Sequence, residues 1–181
     1  MAYGTTLEPA VIRRYLTDAK AAPTSDAKGK FYEELVRYLF EAIPGCIAER
    51  NLTNVFRTEQ IDVAVGNARP GNGLWLLPHV ILVECKNWDK AVDSSTVGYF
   101  MNILAGRGVE LGVLVAANGI TGDHEDLTNA HALGLHGSPR AIKIVVITTD
   151  DLVSLTSVDD FVDLLHRRYL KSFATGAIGV P

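Results

Sequence analysis

Only two cysteines, Cys46 and Cys85, occur among 181 residues, too few for the disulfide framework of a small secreted scaffold, and no basic-then-apolar leader opens the chain. A reducing, cytoplasmic setting is the expectation. Long hydrophobic runs are also missing. The longest, around Gly73–Val83 and Leu111–Ala117, are interrupted or far shorter than the ~20 residues that span a bilayer. Nor is positive charge in excess: 17 Lys and Arg stand against 21 Asp and Glu, a net charge of −4 with a pI near 5.7. That balance argues against coating nucleic acid or an anionic membrane by bulk charge, so any phosphate chemistry has to be local.

Several catalytic signatures fail on one residue each. Gly66-x4-Gly71 starts like a phosphate-binding loop, but Asn72 and Gly73 stand where Lys and Ser or Thr are needed, and a hairpin loop is the better reading. His124-Glu125 opens like a zinc-protease motif, yet Thr128 replaces the second histidine, and His124, His131 and His136 lack zinc-site spacing. No G-x-S-x-G elbow occurs, and Cys85 has no histidine nearby in sequence. The compact basic cluster His166-Arg167-Arg168 with Lys171 reads first as a solvated helix end and second as a phosphate contact.

What is present is an ordinary globular composition, 48% hydrophobic and 21% charged, with alternating helix and strand signals. A short amphipathic helix is expected near 7–20, ended by AAPTSDAKG. From Gly29 onward Leu35, Val36, Leu39, Phe40 and Ile43 form an apolar stripe that Pro44-Gly45 stops, which places a helix at Lys30–Ala42. Strands follow near Cys46–Asn51 and Thr58–Val65. In the second, Ile61, Val63 and Val65 alternate with Gln60, Asp62 and Ala64. After the loop GNARPGNG, the nearly all-apolar His79–Lys86 reads as a central strand covered on both faces. A helix carrying Val97, Phe100, Met101 and Leu104 comes next, then a strand at Leu111–Ala117, a helix near 123–135, a strand at Ile142–Thr148 and a helix near Val158–Tyr169 begun by Ser157 and Asp160. The tail ATGAIGVP reads as loose. The expected architecture is α/β, a central mixed sheet with helices on both faces, organised as an N-terminal helix and linker over 1–27, one domain over 28–171, and a tail over 172–181.

Glu84-Cys85-Lys86 closes the most buried strand, and period two puts Glu84 and Lys86 on one face while Cys85 turns to the other. Charges so near a core have to pair, bind metal or emerge at the strand end. Asp62 can approach Glu84 if the two strands are antiparallel neighbours. Close carboxylates repel one another, and a hard cation such as Mg²⁺, which takes one or two carboxylates plus waters and phosphate oxygens, relieves that repulsion. Lys86 would then stand beside a bound phosphate, orienting or helping to deprotonate a water and stabilising phosphoryl charge. Glu33, on the helix after Gly29, could add a third carboxylate. Gln60, Asn87, Trp88 and Thr96 are candidates for a substrate groove, with solvent the first choice for Gln60 and packing for Trp88.

In order and spacing these residues resemble the restriction endonuclease-like PD-(D/E)XK nuclease superfamily, and are most similar to its Mrr-like branch. The resemblance rests on KGKFYEELVRYLF, TEQIDVAV, VILVECKNW, GVLVAANGIT and IKIVVITTDDLVSL, and covers roughly 28–156. It implies a restriction endonuclease-like core and Mg²⁺, with Mn²⁺ as a substitute, bound by Asp62, Glu84 and the Cys85 backbone carbonyl. It further implies Lys86 assisting the water, Glu33 supporting the site, and hydrolysis of DNA phosphodiesters that leaves a 5′-phosphate, commonly by a homodimer. Two features depart from the pattern. Ile61 stands where the superfamily name has proline, and there is room for only one short helix before Gly29, so a separate DNA-reading domain is not expected. Glu34 remains an alternative to Glu33. A partner-dependent subunit of a DNA-processing or defence complex, with a DNA-recognition or motor protein as partner, and an RNA or junction nuclease are the other functions compatible with these residues.

Overall fold

The computed structural model describes residues 6–53, 59–86, 90–120 and 142–175. Asn87, Trp88, the helix expected near 123–135 with His124, His131 and His136, and the tail from 176 lie outside these residues. The elements are α1 (Pro9–Ala21), α2 (Ser25–Ala42), β1 (Cys46–Thr53), β2 (Gln60–Asn67), β3 (Val80–Lys86), α3 (Ser94–Gly106), β4 (Leu111–Ala116), β5 (Lys143–Ile147), α4 (Thr149–Ser154) and α5 (Val158–Thr175). The five strands lie side by side in sequence order. β1, β2 and β3 are antiparallel neighbours, while β3, β4 and β5 run parallel. The mixed sheet is flanked by helices, as the alternation of signals implies.

Burial follows the side-chain period. Val83, Cys85, Val113, Val115, Val145 and Ile147 pack against α1, α2, α4 and α5 on one face. On the other, Leu82, Leu114, Ala116, Ile144 and Val146 meet α3. Every residue of β4 and β5 is buried, as expected of parallel strands covered on both faces. Gly112 makes the α3 packing close: a Cβ there would lie 2.6 Å from Leu104 Cδ1 and 2.7 Å from Phe100 Cε1. At Gly45 the turn from α2 into β1 needs a φ of +76°, a region that suits glycine.

Two elements and one side chain differ from the sequence pattern. α2 begins at Ser25, before its apolar stripe, because the Thr24 hydroxyl accepts the Ala27 N–H at 3.2 Å; TSDAKG is therefore a capped first turn and not a linker. α5 runs six residues past Tyr169, to Thr175. There the Lys143 ammonium donates to the Ser172 carbonyl at 3.1 Å and lies over the Phe173 ring, tying this last part of the helix to β5. Arg168, read as part of a solvated helix end, is instead a bolt between elements. It donates to both Asp151 carboxylate oxygens, at 2.6 and 2.7 Å, and to the Val146 carbonyl.

The connection between β2 and β3 is organised by one buried amide. Asn67 donates to the carbonyls of Leu74, Leu77 and Pro78 at 2.8, 3.3 and 3.1 Å and accepts the Arg69 N–H at 2.9 Å. Removing it orphans buried carbonyls, so Asn67→Ala should cost about 2–4 kcal/mol. Urea unfolding is expected to show a lower midpoint with an unchanged slope.

Candidate active site

β2 and β3 part where the candidate acids stand. Their ladder runs from Gly66–Val80 to Val63–Val83 and goes no further, while β1 stays paired with β2 as far as Thr53–Gln60 and β3 with β4 as far as Lys86–Ala116. Ile61 packs with the α3-side cluster instead of joining Val63 and Val65 on the opposite face, a departure from the simple alternation.

The Asp62 side chain crosses this opening and its Oδ2 accepts the Cys85 N–H at 2.8 Å. An extended residue presents its N–H and C=O to the same edge of its strand, so the Cys85 carbonyl faces the opening as well. The thiol points the other way, into the core, where burial pushes its pKa well up; this is no nucleophile. Beyond Cys85, Lys86 Nζ lies 2.7 Å from Glu84 Oε1. The second Glu84 oxygen, Oε2, is buried with no hydrogen-bond partner among the described residues.

Glu33 enters from α2. It is 8% exposed, and Arg50 of β1 reaches its Oε2 at 3.3 Å while holding Glu34 Oε1 at 2.7 Å. Glu34 is more exposed and also pairs with Arg37. Of the two neighbours, Glu33 is the one that feels the charge of Asp62 and whose own charge acts on Glu84. Arg50 and Asn51 complete this corner. Asn51 adopts a φ of +56°, tolerable for asparagine, its side chain hydrogen-bonds Glu33, and its Oδ1 accepts from exposed Gln60 at 2.9 Å. Neither residue stands out in the sequence: Arg50 reads as an edge-strand charge, and only the asparagine hints at a left-handed turn. Thr96 belongs to the first turn of α3, and its hydroxyl donates to Asp93, the cap of that helix.

Burial raises the pKa of Asp62, offset in part by the Cys85 N–H and Lys86. Burial and then the Asp62 charge raise Glu84 against the pull of Lys86. Burial and Asp62 likewise raise Glu33 against Arg50. For Lys86 burial pulls downward, but Glu84 and Asp62 outweigh it and the net shift is upward. Three crowded acids, with Asp62 raising both Glu33 and Glu84 and one carboxylate oxygen unsatisfied among the described residues, form a site whose negative charge exceeds its local compensation. Among the described residues no group of three or more His, Cys, Asp or Glu forms a metal cage. Two carboxylates and a main-chain carbonyl make the smaller, all-oxygen set that suits Mg²⁺ with its retained waters.

No curated protein matches the chain. The family model Mrr_cat, described as restriction endonuclease, matches residues 24–156, a span that runs from the cap of α2 past the end of α4 and includes Glu33, Asp62, Glu84 and Lys86. An α/β sheet with its acids and lysine at a parting of two strands is thus joined to a family match over most of its length, and the chain belongs to the Mrr-type restriction endonuclease family.

Proposed function

We propose that the chain is a Mg²⁺-dependent endonuclease that hydrolyses DNA phosphodiester bonds. The observation that carries this reading is the buried Glu84 Oε2, without a hydrogen-bond partner among the described residues, beside Asp62 in the opening between β2 and β3. Asp62, Glu84 and the Cys85 carbonyl would hold the cation, and Mn²⁺ would serve in its place. When bound, such an ion polarises a phosphoryl oxygen and lowers the pKa of water. Lys86 supplies a fixed positive charge on the same face as Glu84, donating to the attacking water or to the phosphoryl oxygen on which charge builds. Glu33, braced by Arg50, accepts from water at the edge of the site and orients it. In-line attack would leave a 5′-phosphate, and two chains acting as a homodimer would cut both strands. Two buried free cysteines suit a cytoplasmic setting.

A second reading, a subunit active only with a DNA-recognition or motor partner, draws on the net charge of −4, which predicts weak, salt-sensitive DNA binding by the lone chain. Plasmid incubated with the purified chain and Mg²⁺ tests the first reading. Nicking and linearisation that stop with EDTA and are absent in Lys86→Ala are expected. Equal background cutting by wild type and variant would overturn it, and cleavage confined to RNA or branched substrates would reassign the substrate.

A further inference from the structure

A cleft of about 1420 Å³ opens at the carboxyl ends of the parallel strands. Ala117–Gly119, after β4, and Thr148, after β5, line one side, and α1 with the first turn of α2 lines the other. Ala117 also donates its N–H to the Lys86 carbonyl at 2.9 Å, so the cleft adjoins the strand end that carries the candidate active site. Crevices outside the carboxyl ends of parallel strands are where open α/β sheets take their ligands.

The charge of this cleft runs against that of the chain. Among the described residues Arg13, Lys20, Lys28 and Lys90 line it with a single acid, Asp150, although acids outnumber bases overall. Arg13, Lys20 and Lys90 are exposed. Thr24 and Ser25 bring the positive end of the 18-residue α2 to the same wall. Among the described lining residues only Tyr32 is aromatic. It is 6% exposed, with its hydroxyl 3.0 Å from that of Thr149. The described lining therefore offers no aromatic face for stacking an unpaired base and is suited to phosphates.

We propose that this cleft is a phosphate-backbone track for duplex DNA, with α1, outside the family-matched span, supplying one basic wall. Its ligand class rests on the nuclease reading, but binding can be measured apart from cleavage. A labelled duplex is titrated with the full chain in EDTA between 50 and 200 mM salt and followed by fluorescence anisotropy. Arg13→Ala/Lys20→Ala/Lys90→Ala should weaken binding tenfold or more at the lower salt and reduce the salt slope by about 2–3, near 0.9 for each phosphate no longer neutralised. Arg14→Ala/Arg167→Ala/Lys171→Ala, which removes equal charge outside the cleft, should stay within twofold of wild type.

Equal losses in the two triple variants would overturn the track, as would unchanged duplex binding by the cleft variant, including the case where it loses binding to anionic vesicles. If wild type fails to cut any DNA while the cleft variant alone loses binding, the nuclease reading falls and the track stands.

Discussion

Asp62→Asn should leave the fold intact and lower Mg²⁺-dependent DNA cleavage by about 10²–10³-fold or more, the usual loss when one preorganised electrostatic group is removed from a reacting centre. The substitution separates charge from structure. An asparagine carboxamide oxygen can still accept the Cys85 N–H that Asp62 takes at 2.8 Å, so the opening between β2 and β3 persists while its negative charge falls by one. Asp62→Ala also abandons that N–H and should lose stability as well as activity. Lys86→Ala is expected to fall by a similar factor as Asp62→Asn. The double variant should be little worse than either alone, because residues acting on one transition state are not additive. Single-turnover rates on a plasmid, with circular dichroism melts as the control for folding, read all four proteins.

Divalent cation should stabilise the wild-type fold and leave Glu84→Gln unmoved. A ligand present at 100 times its Kd adds about 2.7 kcal/mol, which for a chain of this size raises Tm by about 5–10 °C. Glutamine keeps the volume of Glu84 but removes the anion whose buried Oε2 has no partner among the described residues, so the variant should show little shift at the same Mn²⁺ or Mg²⁺ concentration. The pH dependence has a definite sign. Asp62, Glu84 and Glu33 all have folded pKa values raised from their ordinary ones, chiefly by burial. Each therefore binds its proton more tightly folded than unfolded. In metal-free protein their contribution to stability is greatest below the unfolded carboxylate pKa, about 4, and falls as pH rises through the raised folded values. Cation binding needs the deprotonated ligands, so the Tm gain from metal should grow over the same range. Thermal melts across pH 4–8, with and without Mn²⁺, measure both trends.

How much of this could be read from the chain depends on the range of the interaction. The alternation in QIDVAV, the apolar stripe of α2 and the buried run ending in Glu84-Cys85-Lys86 are short-range patterns, and the strands and helix they imply are present. Side-chain parity alone separates Cys85 from Glu84 and Lys86. What the sequence conceals is set by pairing between distant segments. The ladder between β2 and β3 stops at Val63, and nothing in the local sequence marks that end. Arg50 reaches Glu33 only because the phase of α2 and the position of β1 converge. The same holds for Arg168, whose role depends on Asp151 and Val146, and for the last turn of α5, held by Lys143. The difference between Glu33 and Glu34 is likewise a matter of helix phase against the sheet: Glu33 is buried and feels the charge of Asp62, while Glu34 is more exposed and pairs with Arg37 and Arg50. The basic cleft is assembled from four separate stretches of chain, so its charge is invisible in a composition that sums to −4.

The nuclease reading turns on whether the parted strands hold a cation, and a crystal grown with Mn²⁺ and measured at the manganese absorption edge answers this directly. One anomalous peak is expected, within bonding distance of Asp62, Glu84 and the Cys85 carbonyl and absent from crystals of Glu84→Gln. A fully ordered site without a peak at saturating Mn²⁺, or a peak bound by other residues, would contradict the assignment of Asp62 and Glu84 as the metal-holding pair.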